Sequence, residues 1–147
     1  MKKILVLACA SALFLFSCTK SSSSSSNTFT IGSSTQTAVI VQDTLGSISG
    51  LSMNGKGLVF QFYGTTSPAA GTYDLVTLVP SSANQVSVYG ITDDSISYWS
   101  KKNTEVKVTV AVSGNKKTVS VPSVMCIRYD VNFNATDSLL VSGSLTH

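Results

Sequence analysis

Few side chains in this sequence could carry covalent or acid–base chemistry. The single histidine, His147, is the last residue. Chain ends fray, so Ser-His-Asp catalysis, Cys-His catalysis and histidine metal sites are all disfavoured. Cys126 lies in the apolar run "VMCIRY", where a lone cysteine reads as a small buried hydrophobe rather than a nucleophile. Glu105 is the one glutamate, and Asp93 and Asp94 are adjacent. On a strand those two would point to opposite faces, and in a turn they would cap backbone N–H groups. "DVNFNATD" places Asp130, Asn132 and Asn134 at the first three ligand positions of a calcium loop. Ala135 then stands where the sharp turn needs glycine, and Val141 where a bidentate glutamate should close the cage. An Asn/Asp-rich hairpin loop accounts for the segment better. No glycine-rich phosphate loop precedes a helix. The expectation is a protein that is not an enzyme, with no catalytic residue, metal or cofactor.

Aromatic side chains offer a binding surface instead, centred on "QVSVYGITDDSISYWSKK" at 85–102. A two-residue turn at Asp93–Asp94 would pair Tyr89 with Tyr98, whereas one more loop residue places Tyr89 opposite Trp99. Register decides which face Trp99 joins. Asp-Asp is not the Asn-Gly that a tight primed turn prefers, which favours the longer loop. Tyr89, Tyr98 and Trp99 are the candidate binding aromatics, able to stack on a sugar ring or anchor a protein partner if exposed. Burial in the core is the competing and favoured place for the tryptophan.

The elements that must position these residues read as strands. In "TEVKVTVAVSG", Val106, Val108, Val110 and Val112 share one face and Lys107, Thr109 and Ala111 the other. The same period of two recurs in "GLVFQFYG", "GTYDLVTLV" and "SLLVSGSLT", with turn signals at 54–57, 67–71, 80–84, 92–95 and 113–117. Eight to ten short antiparallel strands are expected over residues 28–147. They should form one all-β domain, an antiparallel β-sandwich or, alternatively, an up-and-down or lipocalin-like barrel.

The N-terminus is different in kind. Two lysines precede an apolar run of 13 residues from Ile4 to Phe16. That is shorter than the roughly 20 residues needed to span a bilayer, and it reads as a secretory signal peptide over residues 1–17. The closing "LFSC", Leu15 to Cys18, resembles a lipoprotein box. The resemblance implies that the Cys18 thiol receives a diacylglycerol and that cleavage falls just before it. Residues 18–27, the cysteine followed by a Ser-rich stretch, form a tether; its nine residues beyond Cys18 should span about 15–18 Å. The chain left after cleavage keeps eight basic and seven acidic side chains, a balance that disfavours a nucleic-acid partner. Lys101, Lys102, Lys116 and Lys117 read as solvated turn lysines. With Cys9 discarded and Cys18 acylated, Cys126 has no disulfide partner within the chain.

A lipobox signal, a polar tether and one all-β domain together resemble a group of small lipoproteins of the Bacteroidota. That group has "GTY" entering a middle strand, here Gly71-Thr72-Tyr73, and a closing strand like Val141-Ser142-Gly143-Ser144. The resemblance implies an outer-membrane lipoprotein held to its membrane by the N-terminal lipid. Acidic residues behind the lipidated cysteine resemble a surface-display signal in these bacteria. None follows Cys18 here, which favours the periplasmic face over surface exposure. The group has no known activity, so the implied role is binding or structural association with a glycan or an envelope protein. A carbohydrate-binding accessory lipoprotein is the alternative and an unrecognised hydrolase a distant third. Finally, "DTL", "DSI" and "DSL" resemble the O-glycosylation sequon of exported Bacteroidota proteins, which makes Thr44, Ser95 and Ser138 candidate modification sites.

Overall fold

The computed structural model describes residues 27–147, and Cys18 with the signal and most of the tether lies outside them. The described chain is all-β. Its eleven strands are β1 (Thr28–Ile31), β2 (Ser34–Thr37), β3 (Ile40–Thr44), β4 (Ser47–Leu51), β5 (Gly57–Phe62), β6 (Gly71–Val76), β7 (Gln85–Ile91), β8 (Ser97–Ser100), β9 (Asn103–Ser113), β10 (Lys116–Tyr129) and β11 (Ala135–Thr146). They join in one sheet of order β2-β1-β11-β10-β9-β6-β7-β5-β4-β3, with β8 pairing both β7 and β10. That bridge completes a hydrogen-bonded circuit through β10, β9, β6, β7 and β8.

Two expectations are corrected. Eleven strands form, not eight to ten, because the polar segments around 34–44 make two further short strands. The sheet is also mixed, not a clean antiparallel sandwich: β6 and β7 run parallel, with Asp74–Val76 against Gln85–Ser87. Parallel neighbours usually need a long crossover. Here the overlap is three residues deep, so the 77–84 connection returns over only ~7 Å of strand rise.

The sheet folds over itself at defined corners. β10 pairs β9 through its first half and β8 through its second. Between the halves, a bulge at Val121/Val124 bends it against β11. Pro122 sits inside that bulge, where no ladder donor is required. Beyond the corner β11 crosses β7, β5 and β4. Gly90, Leu58 and Gly50 are register partners across those three strands. Onto them pack Val141, Gly143 and Leu145, the alternate inward residues of β11. Each glycine faces a large side chain on the other layer, which lets two crossing backbones approach closely. The core around this crossing includes Phe29, Ile48, Leu58, Phe60, Leu75, Val88, Val108, Val119, Val141 and Leu145. Full burial of each such side chain contributes about 1.5–3 kcal/mol.

Cys126 belongs to that core. It is fully buried, with its thiol directed at the Val88 carbonyl 3.9 Å away. Burial pushes the thiol up to about 12, so the thiolate that an alkylating agent needs is withheld. Native protein at pH 8 should therefore react with iodoacetamide at least 100-fold more slowly than denatured protein, by mass spectrometry. Rapid native alkylation would contradict this burial. Deprotonation of the unfolded chain near pH 9 should also draw stability down as pH rises from there towards 12.

Candidate functional site

The β7–β8 hairpin takes the longer loop. Ser95 donates its N–H to the Thr92 carbonyl and Thr92 donates its own to Ile96. Asp93, Asp94 and Ser95 thus form a three-residue loop, with Ser95 in the left-handed region at φ 64°. Asp94 accepts the Thr92 hydroxyl, and that bond holds its carboxyl below the usual range. The consequence is the register Tyr89 opposite Trp99. Both rings lie half-buried on the outer face, their centroids 4.3 Å apart and their planes tilted by 31°. The pair braces the hairpin and still shows ring surface to solvent.

Strand order then assembles a groove beside the pair. Two rows of register partners cross the outer face: Ile40, Leu51, Gly57 and Ile91 in one, and Gln42, Ser49, Val59, Tyr89 and Trp99 in the other. Together with Ser47 and Gly50, all of these except Trp99 line a groove of about 320 Å³. Gly57 keeps the floor low between Leu51 and Ile91. A methyl group added there would meet the Gly50 carbonyl oxygen at 3.4 Å and Ile91 at 3.5 Å, ordinary contacts rather than a forced close approach. The lining carries hydroxyls, one amide and the Tyr89 phenol, and no charged side chain. Burial pushes the Tyr89 phenol up, so it stays a neutral donor at physiological pH.

Tyr98 does not join this platform. It faces the opposite way, opposite Gly90, with its ring buried in the core. Its hydroxyl emerges at the rim and donates to Asp137 at 2.7 Å. The same bond pushes the phenol up and holds the Asp137 carboxyl below its usual range. Three aromatics close in sequence are thereby divided two to one by strand alternation.

The remaining candidates are scattered. Thr44, Ser95 and Ser138 are all exposed, at the end of β3, in the β7–β8 loop and along β11 opposite Ile127. Asp130 accepts the N–H groups of Asn132 and Asn134 at 2.9 and 2.8 Å and the Asn134 amide at 3.2 Å. Its oxygens are thus occupied in closing a hairpin loop. Among the described residues no group of three His, Cys, Asp or Glu side chains is placed to hold a metal.

One convergence has no local signal in the sequence. Lys117 pairs with Asp43 at 3.2 Å, and Ser67 hydrogen-bonds both. Lys117 is only 18% exposed and Asp43 13%, which corrects its reading as a solvated turn lysine. The ammonium donates to both partners, and the Ser67 hydroxyl donates to the Asp43 carboxylate. The trio clasps the β5–β6 connection onto β3 and β10. Ser87 is the other polar oddity: among the described residues its hydroxyl is the one buried side-chain polar atom without a hydrogen-bond partner. The groove residues Gln42, Ser47, Ser49, Gly57 and Val59 were likewise illegible as a set, since only the neighbour order β3-β4-β5-β7-β8 brings their outward positions together. No protein-family model, curated protein or solved structure matches the chain.

Proposed function

We propose that this chain is a lipid-anchored protein of a bacterial outer membrane, acylated at Cys18 and facing the periplasm, that binds a neutral saccharide in the Tyr89–Trp99 groove. The observation that carries the saccharide reading is the solvent-facing aromatic pair beside an uncharged, hydroxyl-bearing groove. A pyranose ring presents one face of C–H groups and a rim of hydroxyls. The C–H face suits stacking on an aromatic ring, and the hydroxyls suit Gln42, Ser47 and Ser49. An anionic ligand would call for an Arg or Lys in the lining, and the groove has neither. The role is binding rather than turnover, since the lining offers no carboxylate or imidazole to move a proton.

Two variants separate the groove from the fold. Gly57→Val fills the floor at a position where a Cβ meets only ordinary contacts, and Trp99→Ala removes the indole stacked beside Tyr89. Each should weaken oligosaccharide binding by tenfold or more, about 1.4 kcal/mol. Gly57→Val should leave the thermal midpoint within a few degrees of the parent. Unaltered affinity in both variants, measured by calorimetry, would remove the groove from the account.

The exposure of Thr44, Ser95 and Ser138 favours one further reading, O-glycosylation of at least one of them. Each follows an aspartate, and a glycan there would solubilise a loop or strand surface. Protein from its own host should carry a glycan mass that disappears when the matching Asp43, Asp94 or Asp137 becomes alanine. Unmodified peptides across all three sites would end the idea.

A further inference from the structure

We infer that the face carrying Val39, Ile40, Leu51 and Met53 is a membrane-docking surface that lays the domain against the bilayer holding its lipid anchor. The inference rests on the proposed acylation of Cys18. It adds an orientation that acylation alone does not supply.

The tether enters the domain at Asn27. Asn27 accepts the Ala38 N–H through its carbonyl at 2.7 Å, and the next residue, Val39, donates to the Leu51 carbonyl at 2.8 Å. Ile40 is the register partner of Leu51, and Met53 follows two residues later in the β4–β5 turn. Val39, Ile40, Leu51 and Met53 are 54%, 51%, 43% and 88% exposed. Four of the twelve exposed large apolar side chains among the described residues thus gather around the point at which the tether arrives. Isolated apolar side chains on a surface need no explanation, whereas a contiguous group marks a contact.

Tether length selects the occupant. Eight residues separate Cys18 from Asn27, and a Ser-rich coil of that length would reach only about 15–18 Å on average, so the patch stays close to any bilayer that holds the acyl chains. Another exposed apolar turn, with Val131 and Phe133, lies beyond the far end of β11. Thr146, at the near end of that strand, donates to Asn27. Twelve residues of strand put the far turn up to about 35 Å away, beyond the tether's average span. The four side chains are uncharged, which suits the acyl–headgroup boundary of a neutral membrane rather than an electrostatic contact. Ile40 and Leu51 also form one end of the groove, so docking would set that end at the membrane and leave Trp99 farther out.

The full chain, processed in a bacterial host and reconstituted into phosphatidylcholine vesicles, tests this with two separate readings. Acylation is read from the intact mass. Docking is read from a nitrobenzoxadiazole probe at Met53→Cys, with the same probe at Val131→Cys for comparison. Both positions are exposed in turns, and Cys126 is buried and unreactive. The expected result is an acylated chain in which the Met53 probe shifts to the blue, brightens severalfold and loses iodide quenching, without sensitivity to salt, while the Val131 probe stays water-like. An acylated chain with the Met53 probe in water, or with only the Val131 probe shifted, overturns the docking face and leaves the anchor standing. A chain without acyl mass overturns both.

Discussion

Gly143→Ala should be among the most damaging single substitutions in the folded domain, costing about 2–3 kcal/mol as an overpacked site. An added Cβ would stand 2.5 Å from the Phe29 Cβ, 2.8 Å from the Phe29 Cα and 2.8 Å from a Leu58 methyl. The Phe29 Cα belongs to a hydrogen-bonded neighbour strand, because Phe29 is the register partner of Gly143. Relief therefore requires moving backbone rather than rotating a side chain. Gly57→Ala is the control, since its new methyl would find ordinary contacts. Urea melts of the two variants should differ by about 2 kcal/mol or more. Equal stability would mean that β11 does not cross the β4–β5–β7 face as described.

Cys18→Ser should have a larger consequence still, because it removes the proposed site of acylation. Two or three acyl chains at about 0.8 kcal/mol per buried CH₂ make membrane release negligible. Serine has no thiol to accept the diacylglycerol. In a bacterial host the variant should lose all labelled palmitate and accumulate as unprocessed or soluble protein. Undiminished palmitate incorporation would contradict the assignment of Cys18.

Much of the fold was legible because strand alternation is a local signal. Val106, Val108 and Val110 declare a face by themselves, and the turn at Asp93–Asp94 carries enough chemistry to set Tyr89 against Trp99. The same signal could not say which strands become neighbours. The β6–β7 parallel pair depends on how far the 77–84 connection folds back. The crossing of β11 over Gly90, Leu58 and Gly50 depends on a corner at Val121/Val124. Neither is encoded within a window of ten residues. The site divides in the same way. Tyr89 and Trp99 were visible as a pair, but Tyr98 went to the core because the pleat sends adjacent residues to opposite faces. The groove beside the pair needed four strands in order before Gln42, Ser49 and Gly57 could share one surface. The Asp43–Ser67–Lys117 clasp joins residues 24, 50 and 74 positions apart, so its members looked like ordinary polar loop and turn residues.

Binding of a neutral saccharide in the Tyr89–Trp99 groove can be read from tryptophan emission. Trp99 is the only tryptophan, so every change in the signal reports this position. Titration with a panel of neutral oligosaccharides should produce, for at least one of them, a saturable blue shift and protection from acrylamide, both lost in Gly57→Val. Emission that no oligosaccharide alters, in a protein whose Trp99 acrylamide quenches freely, would contradict the claim.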